Sequence, residues 1–150
     1  MDLKFSSVAA TPSNPNWNNL ISRKDELYKK ENDVRSEFER DYDRIIYCNA
    51  YRRLKHKTQV FFLPKNDHIC TRIEHVNNVD ATSYTIAKAL GLNTTLTRAI
   101  SISHDIGHSP FGHKGEQILN RICMENDLEA FWHERNGLNF VDNIELLTNV

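Results

Sequence analysis

The residues SISHDIGHSPFGHKGE, 101–116, constrain this chain more than any other stretch. They hold His104, His108 and His113, three of the seven histidines, together with Asp105, Glu116, Pro110 and three glycines. A solvated helix face has no use for that mixture. Imidazole and carboxylate suit a hard or borderline divalent cation, and further histidines near neutral pKa can move protons. Gly107, Pro110 and Gly112 break a helix here, so His104 and Asp105 fall at a helix end. Two neighbouring ligands at a helix end can close on an ion only if other helices bring the rest. The bland alternative is a helix that stops at Gly107 and runs into a polar, histidine-rich loop.

The hydrophobic pattern supplies those other helices. From about Asp33, Val34, Phe38, Tyr42 and Ile45/Ile46 recur at steps of three and four, with charged residues between them. A long helix is predicted over about 71–90, with Ile73, Val76, Val79, Ile86, Ala87 and Leu90 inward and Gly91 as C-cap. It carries His75 in its first turns, one helix ahead of His104. Asn93 can cap a further helix over about 94–106, with Leu96, Ala99, Ile100 and Ser103 on one face. Two more are expected: about 114–126, packing through Ile118, Leu119 and Ile122, and one from about 134, using Leu138, Val141, Ile144 and Leu147. No run sustains strand alternation. The fold predicted is all-α, with an irregular lead-in over 1–30 that Trp17 anchors and a helical core over 31–150.

Composition narrows the class. With 39% hydrophobic and 26% charged residues, the chain reads as an ordinary globular domain. Its net charge of −1 argues against a general attraction to nucleic acid or membranes. Three widely spaced cysteines (Cys48, Cys70, Cys123) fit reduced thiols, and no stretch approaches the apolar length of a membrane span. A cytoplasmic location is the expectation. One local exception is the basic run Arg52, Arg53, Lys55, His56 and Lys57. It is either a charged helix face leading into Val60–Leu63 or a contact for a polyanion such as a triphosphate or a nucleic-acid strand.

Four segments together resemble the HD-domain phosphohydrolases, and among them the deoxynucleoside triphosphate triphosphohydrolases (dGTPase-like enzymes). These are FERDYDRIIYCNAYRRLKHKTQVF at 38–61, TRIEH at 71–75, HDIGHSPFGHKGE at 104–116 and FWHERNGLNF at 131–140. The resemblance runs from about Trp17 to Asn143. It implies an HD-domain helical bundle with a divalent metal ion (Mn, Mg or another transition metal) on His75, His104 and Asp105. It implies catalytic roles for His113 with its carboxylate partner Glu116, and for His108 and His133 near the substrate phosphates. Gln59 would read the deoxyribose and Arg72 would contact the phosphates. It also implies a homo-oligomer, with a regulatory nucleotide or single-stranded nucleic acid as a further partner at the basic run, and no membrane.

The resemblance further implies a fourth ligand, an aspartate on a later helix. Asp127 and Asp142 are the only aspartates after Asp105, and neither stands in a matching context. The chain is therefore expected to correspond to the N-terminal part of a longer enzyme, or to a truncated or split relative. The activity implied is hydrolysis of a deoxynucleoside triphosphate to deoxynucleoside and triphosphate. The alternatives are another HD nucleotide phosphohydrolase, or a non-catalytic sensor of nucleotides or nucleic acid.

Overall fold

The computed structural model describes residues 5–23, 31–57 and 68–145. Gln59 and the Val60–Leu63 segment lie outside the described residues. Seven α-helices follow one another within them: α1 (Trp17–Leu20), α2 (Glu37–Tyr47), α3 (Asn49–Arg53), α4 (Arg72–Leu90), α5 (Thr94–Ser103), α6 (Gly112–Glu125) and α7 (His133–Asn139). Short 3-10 turns occupy Ser6–Val8 and Leu54–His56, and a π-helical turn, Phe140–Ile144, extends α7. No strand element occurs among the described residues, as the pattern predicts. None of their helices is long and apolar enough to cross a membrane.

Capping fixes the frame. Ser36 and Glu39 form a reciprocal capping box at the start of α2. At α4, Glu74 Oε2 accepts from the Thr71 N–H (2.6 Å) and the Thr71 hydroxyl (2.9 Å). Gly91, at φ 77°, ends α4 in the left-handed conformation that glycine adopts at least cost. Asn93 then accepts from the Leu96 N–H at 2.9 Å and opens α5. Gly91 as C-cap and Asn93 as N-cap are as predicted.

Helix α5 packs against both α2 and α4. Their shared core is Ile45, Cys48, Ala50, Leu54, Val76, Ala99, Ile102 and Ile106, with Phe140 and Val141 leaning on it. Leu54, Ile102, Ile106 and Val76 are fully buried, each contributing about 1.5–3 kcal/mol of transfer free energy. At the rim, Arg98 of α5 binds Asp80 of α4 (3.1 Å) and the Tyr42 hydroxyl of α2 (3.1 Å), with its guanidinium 4.8 Å above the Tyr42 ring. That one side chain ties the three helices together. A distant acid closes the bundle: Glu145 accepts from the Asn49 (3.0 Å) and Ala50 (2.8 Å) N–H groups at the start of α3.

Several expectations need correction. The lead-in contains two short helical pieces, and Trp17 packs edge-on against Phe38 at 5.7 Å, the anchoring predicted for it. Val34 lies ahead of α2 and is almost fully exposed. Helix α2 ends at Tyr47, the backbone of Cys48 is extended, and the chain restarts as α3 at Asn49. Ile86, Ile100, Ile118, Ile122, Leu138 and Ile144, all expected to pack inward, are exposed, and α6 buries no residue fully. Helix α5 ends at Ser103, three residues earlier than expected, so His104 to Gly107 form a turn. The three cysteines are free.

Candidate metal centre

That early end of α5 builds the site. His104 caps the helix, Asp105 follows it in the turn, and His75 reaches in from the first turns of α4. Donor atoms of His75, His104 and Asp105 all lie within 4.8 Å of one another. The His75 and His104 rings meet edge to face at 5.6 Å. His104 Nδ1 is 2.6 Å from the Ser101 carbonyl, which can only accept, so Nδ1 carries the proton and Nε2 keeps its lone pair. Two imidazole nitrogens and a carboxylate are the donor set of a borderline divalent cation, and the His104 tautomer is the one ligation needs. These residues fit a divalent metal ion.

Asp105 is not free to swing. Its Oδ2 accepts from Arg72 Nη1 at 2.8 Å, with both side chains buried, while its Oδ1 lies 3.7 Å from His104 Nε2. Arg72, expected at the phosphates, is thus first the partner of the Asp105 carboxylate. A buried pair like this tolerates loss of neither member, because the survivor is left as an uncompensated charge.

Asp105 also belongs to a second cluster, with His108 and His133 donor atoms again within 4.8 Å of one another. The His108 and His133 rings stack at 4.7 Å and 23°, and His113 stands at 5.4 Å from His108 and 6.4 Å from His133. Burial, then the neighbouring Arg72 guanidinium, pushes the His108 imidazole down to about 4, so the ring is uncharged at neutral pH. Its Nδ1 is buried and has no hydrogen-bond partner among the described residues.

Glu116 organises the other side of this cluster. Its Oε1 accepts from His133 Nδ1 (2.8 Å) and the His133 N–H (3.1 Å), while its Oε2 is 3.4 Å from His113 Nδ1. Burial raises the Glu116 carboxyl, but the His133 and His113 contacts outweigh it and hold the group below its ordinary value. The pairing read from sequence joined Glu116 to His113, three residues away on α6. The firmer bond goes to His133, which is largely buried, whereas His113 is mostly exposed. No local spacing announces that contact across seventeen residues.

Glycine brings α7 close enough to deliver His133. A Cβ on Gly107 would collide with the Gly137 nitrogen and the His133 carbonyl, and would sit 2.7 Å from the Asn136 carbonyl carbon. Asn136 Nδ2 then donates to the Gly107 carbonyl at 2.8 Å, locking the approach. Beside His104, a recess of about 460 Å³ opens between α5 and α7, lined by Ile100, Ile106, Trp132 and Leu138 among others. Asp127 and Asp142 are exposed and join neither ligand cluster.

Of the basic run, Arg52, Arg53 and His56 line a separate depression of about 590 Å³ with Glu145, and Arg53 lies 5.4 Å over the Phe140 ring. Lys57 departs from them. It is half-buried, and its Nζ donates to the His108 carbonyl at 2.7 Å.

The HD domain model matches residues 72–150, which include every candidate ligand. A deoxyguanosinetriphosphate triphosphohydrolase-like protein of Desulfatibacillum aliphaticivorans is 48% identical over 112 residues, 75% of this chain and 31% of that protein. Its counterpart from Caldanaerobacter subterraneus is 47% identical over 113 residues, 75% of this chain and 32% of that protein. One from Bartonella henselae is 40% identical over 145 residues, 97% of this chain and 35% of its own length. The chain spans about a third of the length of these curated relatives. On the match over residues 72–150, which is more than half its length, the chain belongs to the HD-domain family.

Proposed function

We propose that this chain carries the metal-binding and proton-transfer residues of a deoxynucleoside triphosphate triphosphohydrolase. The observation that carries the reading is the convergence of His75, His104 and Asp105 next to three further histidines. The names of the relatives support the substrate class. In the reaction, a water oxygen bonds to the α-phosphorus and the bond from that phosphorus to the 5′ oxygen breaks. The 5′ oxygen takes a proton, and deoxynucleoside and intact triphosphate leave. A divalent ion on the three ligands would supply a water of lowered pKa and positive charge for the phosphates.

The chain's own residues do the rest. Arg72 holds Asp105 through Nη1 and has further N–H donors for phosphate oxygens. Neutral His108 faces the phosphates as a hydrogen-bond donor, with His133 stacked on it beside them. His113, exposed and only loosely tethered to Glu116, can follow the leaving group and donate the proton. Gln59 reads the deoxyribose. The Arg52–His56 depression takes a regulatory nucleotide or a nucleic-acid strand, and the enzyme works as a cytoplasmic homo-oligomer.

Steady-state kinetics on the full-length protein test the proton assignment. His113→Ala should lower kcat by about 10²- to 10⁴-fold with metal and substrate binding retained, the usual worth of general acid catalysis. His133→Ala should raise KM as well, because it removes a phosphate contact. An unchanged kcat in His113→Ala, with His133→Ala inactive, would move the proton to His133 and overturn the assignment.

A further inference from the structure

Lys57 closes the basic run and differs from its neighbours, since Arg52, Arg53, Lys55 and His56 are exposed and it is half-buried. A lysine ammonium is strongly hydrated, so drawing one inward is unfavourable unless it meets an acceptor. It meets the His108 carbonyl, with Nζ donating at 2.7 Å. Its own carbonyl accepts from the Arg72 N–H at 2.8 Å. One residue therefore bridges the first residue of α4 and the turn after α5.

Both ends of that bridge lead to Asp105. Through the main chain, Lys57 holds Arg72, whose guanidinium binds the Asp105 carboxylate at 2.8 Å. Through its side chain, it holds the 105–108 turn, which the His108 N–H closes on the Asp105 carbonyl at 3.1 Å. The turn is narrow and bears two kinds of function, a metal-ligand carboxylate and a buried imidazole. A shift of its backbone displaces both, because chemistry of this kind depends on sub-ångström placement.

We propose that Lys57 is a positioning residue, which pins the 105–108 turn so that Asp105 and His108 keep their working geometry. It acts through that turn and does not touch the reacting atoms. The inference rests on the metal-centred reading above, and only its kinetic readout depends on the proposed hydrolysis. Its metal-binding readout stands without any turnover.

The test compares wild type, Lys57→Met and Lys57→Arg as full-length proteins. Mn²⁺ binding by titration, thermal unfolding, and kcat and KM for each dNTP are measured on all three. Lys57→Met should weaken Mn²⁺ binding and lower kcat, each by about 10- to 100-fold, the range for groups one step removed from a ligand. KM should change by less than about threefold, and Lys57→Arg, which still donates to a carbonyl, should recover most of the loss.

Unchanged Mn²⁺ affinity in Lys57→Met, with or without a lower unfolding midpoint, would reduce Lys57 to a packing residue and overturn the proposal. A raised KM with kcat intact would make it a phosphate ligand and overturn it equally. If wild type hydrolyses no dNTP, the functional reading fails, while the Mn²⁺ titrations still decide the role of Lys57.

Discussion

Replacing His104 with alanine should weaken divalent metal binding by more than about 100-fold, beyond the usual loss for an outer-shell residue, and abolish turnover. The ring supplies one of the three converging donors, with its Nδ1–H committed to the Ser101 carbonyl and Nε2 left for the metal. It caps α5 on a partly exposed turn, so its removal should leave the helices intact. Asp105 is a poorer choice for the same experiment. Asparagine there would leave Arg72 as a buried, unpaired cation and cost about 3–5 kcal/mol of stability, mixing unfolding with loss of a ligand. Metal content and circular dichroism on His104→Ala check the prediction together. Full occupancy with a normal rate would remove His104 from the ligand set.

Gly107→Ala should be as damaging as any ligand change, by a different route. The three atoms nearest the added methyl group are backbone atoms of His133, Asn136 and Gly137, which cannot rotate aside as a side chain would. Helix α7 must move away, taking with it the Asn136 bond to Gly107 and the His133 bond to Glu116. Overpacking of this kind costs about 1–3 kcal/mol where a core can give, and more where rigid backbone is struck. A loss of about 3 kcal/mol or more in denaturant unfolding is expected, with kcat lowered to the level of His133→Ala. Gly112→Ala supplies the control. Its Cβ would meet Arg72 Nη2 at an ordinary 3.7 Å, so only the strain of φ +58° remains, about 1–2 kcal/mol. Equal stabilities for the two variants would contradict this account of α7 packing.

The helical frame was legible because local rules decide it. Periodicity marked α2, α4 and α5, and Gly91 and Asn93 cap α4 and α5 through contacts within four residues. The three metal-ligand candidates were legible as residue types at a helix end, and the structure brings their donor atoms together. What a helix face packs against is a tertiary fact. An amphipathic stripe on α6 or α7 announces an apolar face without naming its partner, so Ile118, Ile122 and Leu138 misled. The end of α5 was misplaced for a similar reason. Apolar Ile106 continues the helical pattern, yet Gly107 must meet the backbone of α7, and the chain turns three residues early to reach it. The Glu145 cap on α3 and the Lys57 contact with His108 join residues 95 and 51 apart, where no spacing rule reaches.

The central claim, that these residues serve a hydrolase which cuts at the α-phosphorus, has one most direct measurement. Full-length protein loaded with Mn²⁺ is incubated with each of the four dNTPs, and the phosphorus products are followed by ³¹P NMR. The account predicts free deoxynucleoside and intact triphosphate as the first products, with signals lost on chelation of the metal. Orthophosphate or pyrophosphate as the first phosphorus product, or metal-loaded protein that leaves all four dNTPs intact, would contradict it.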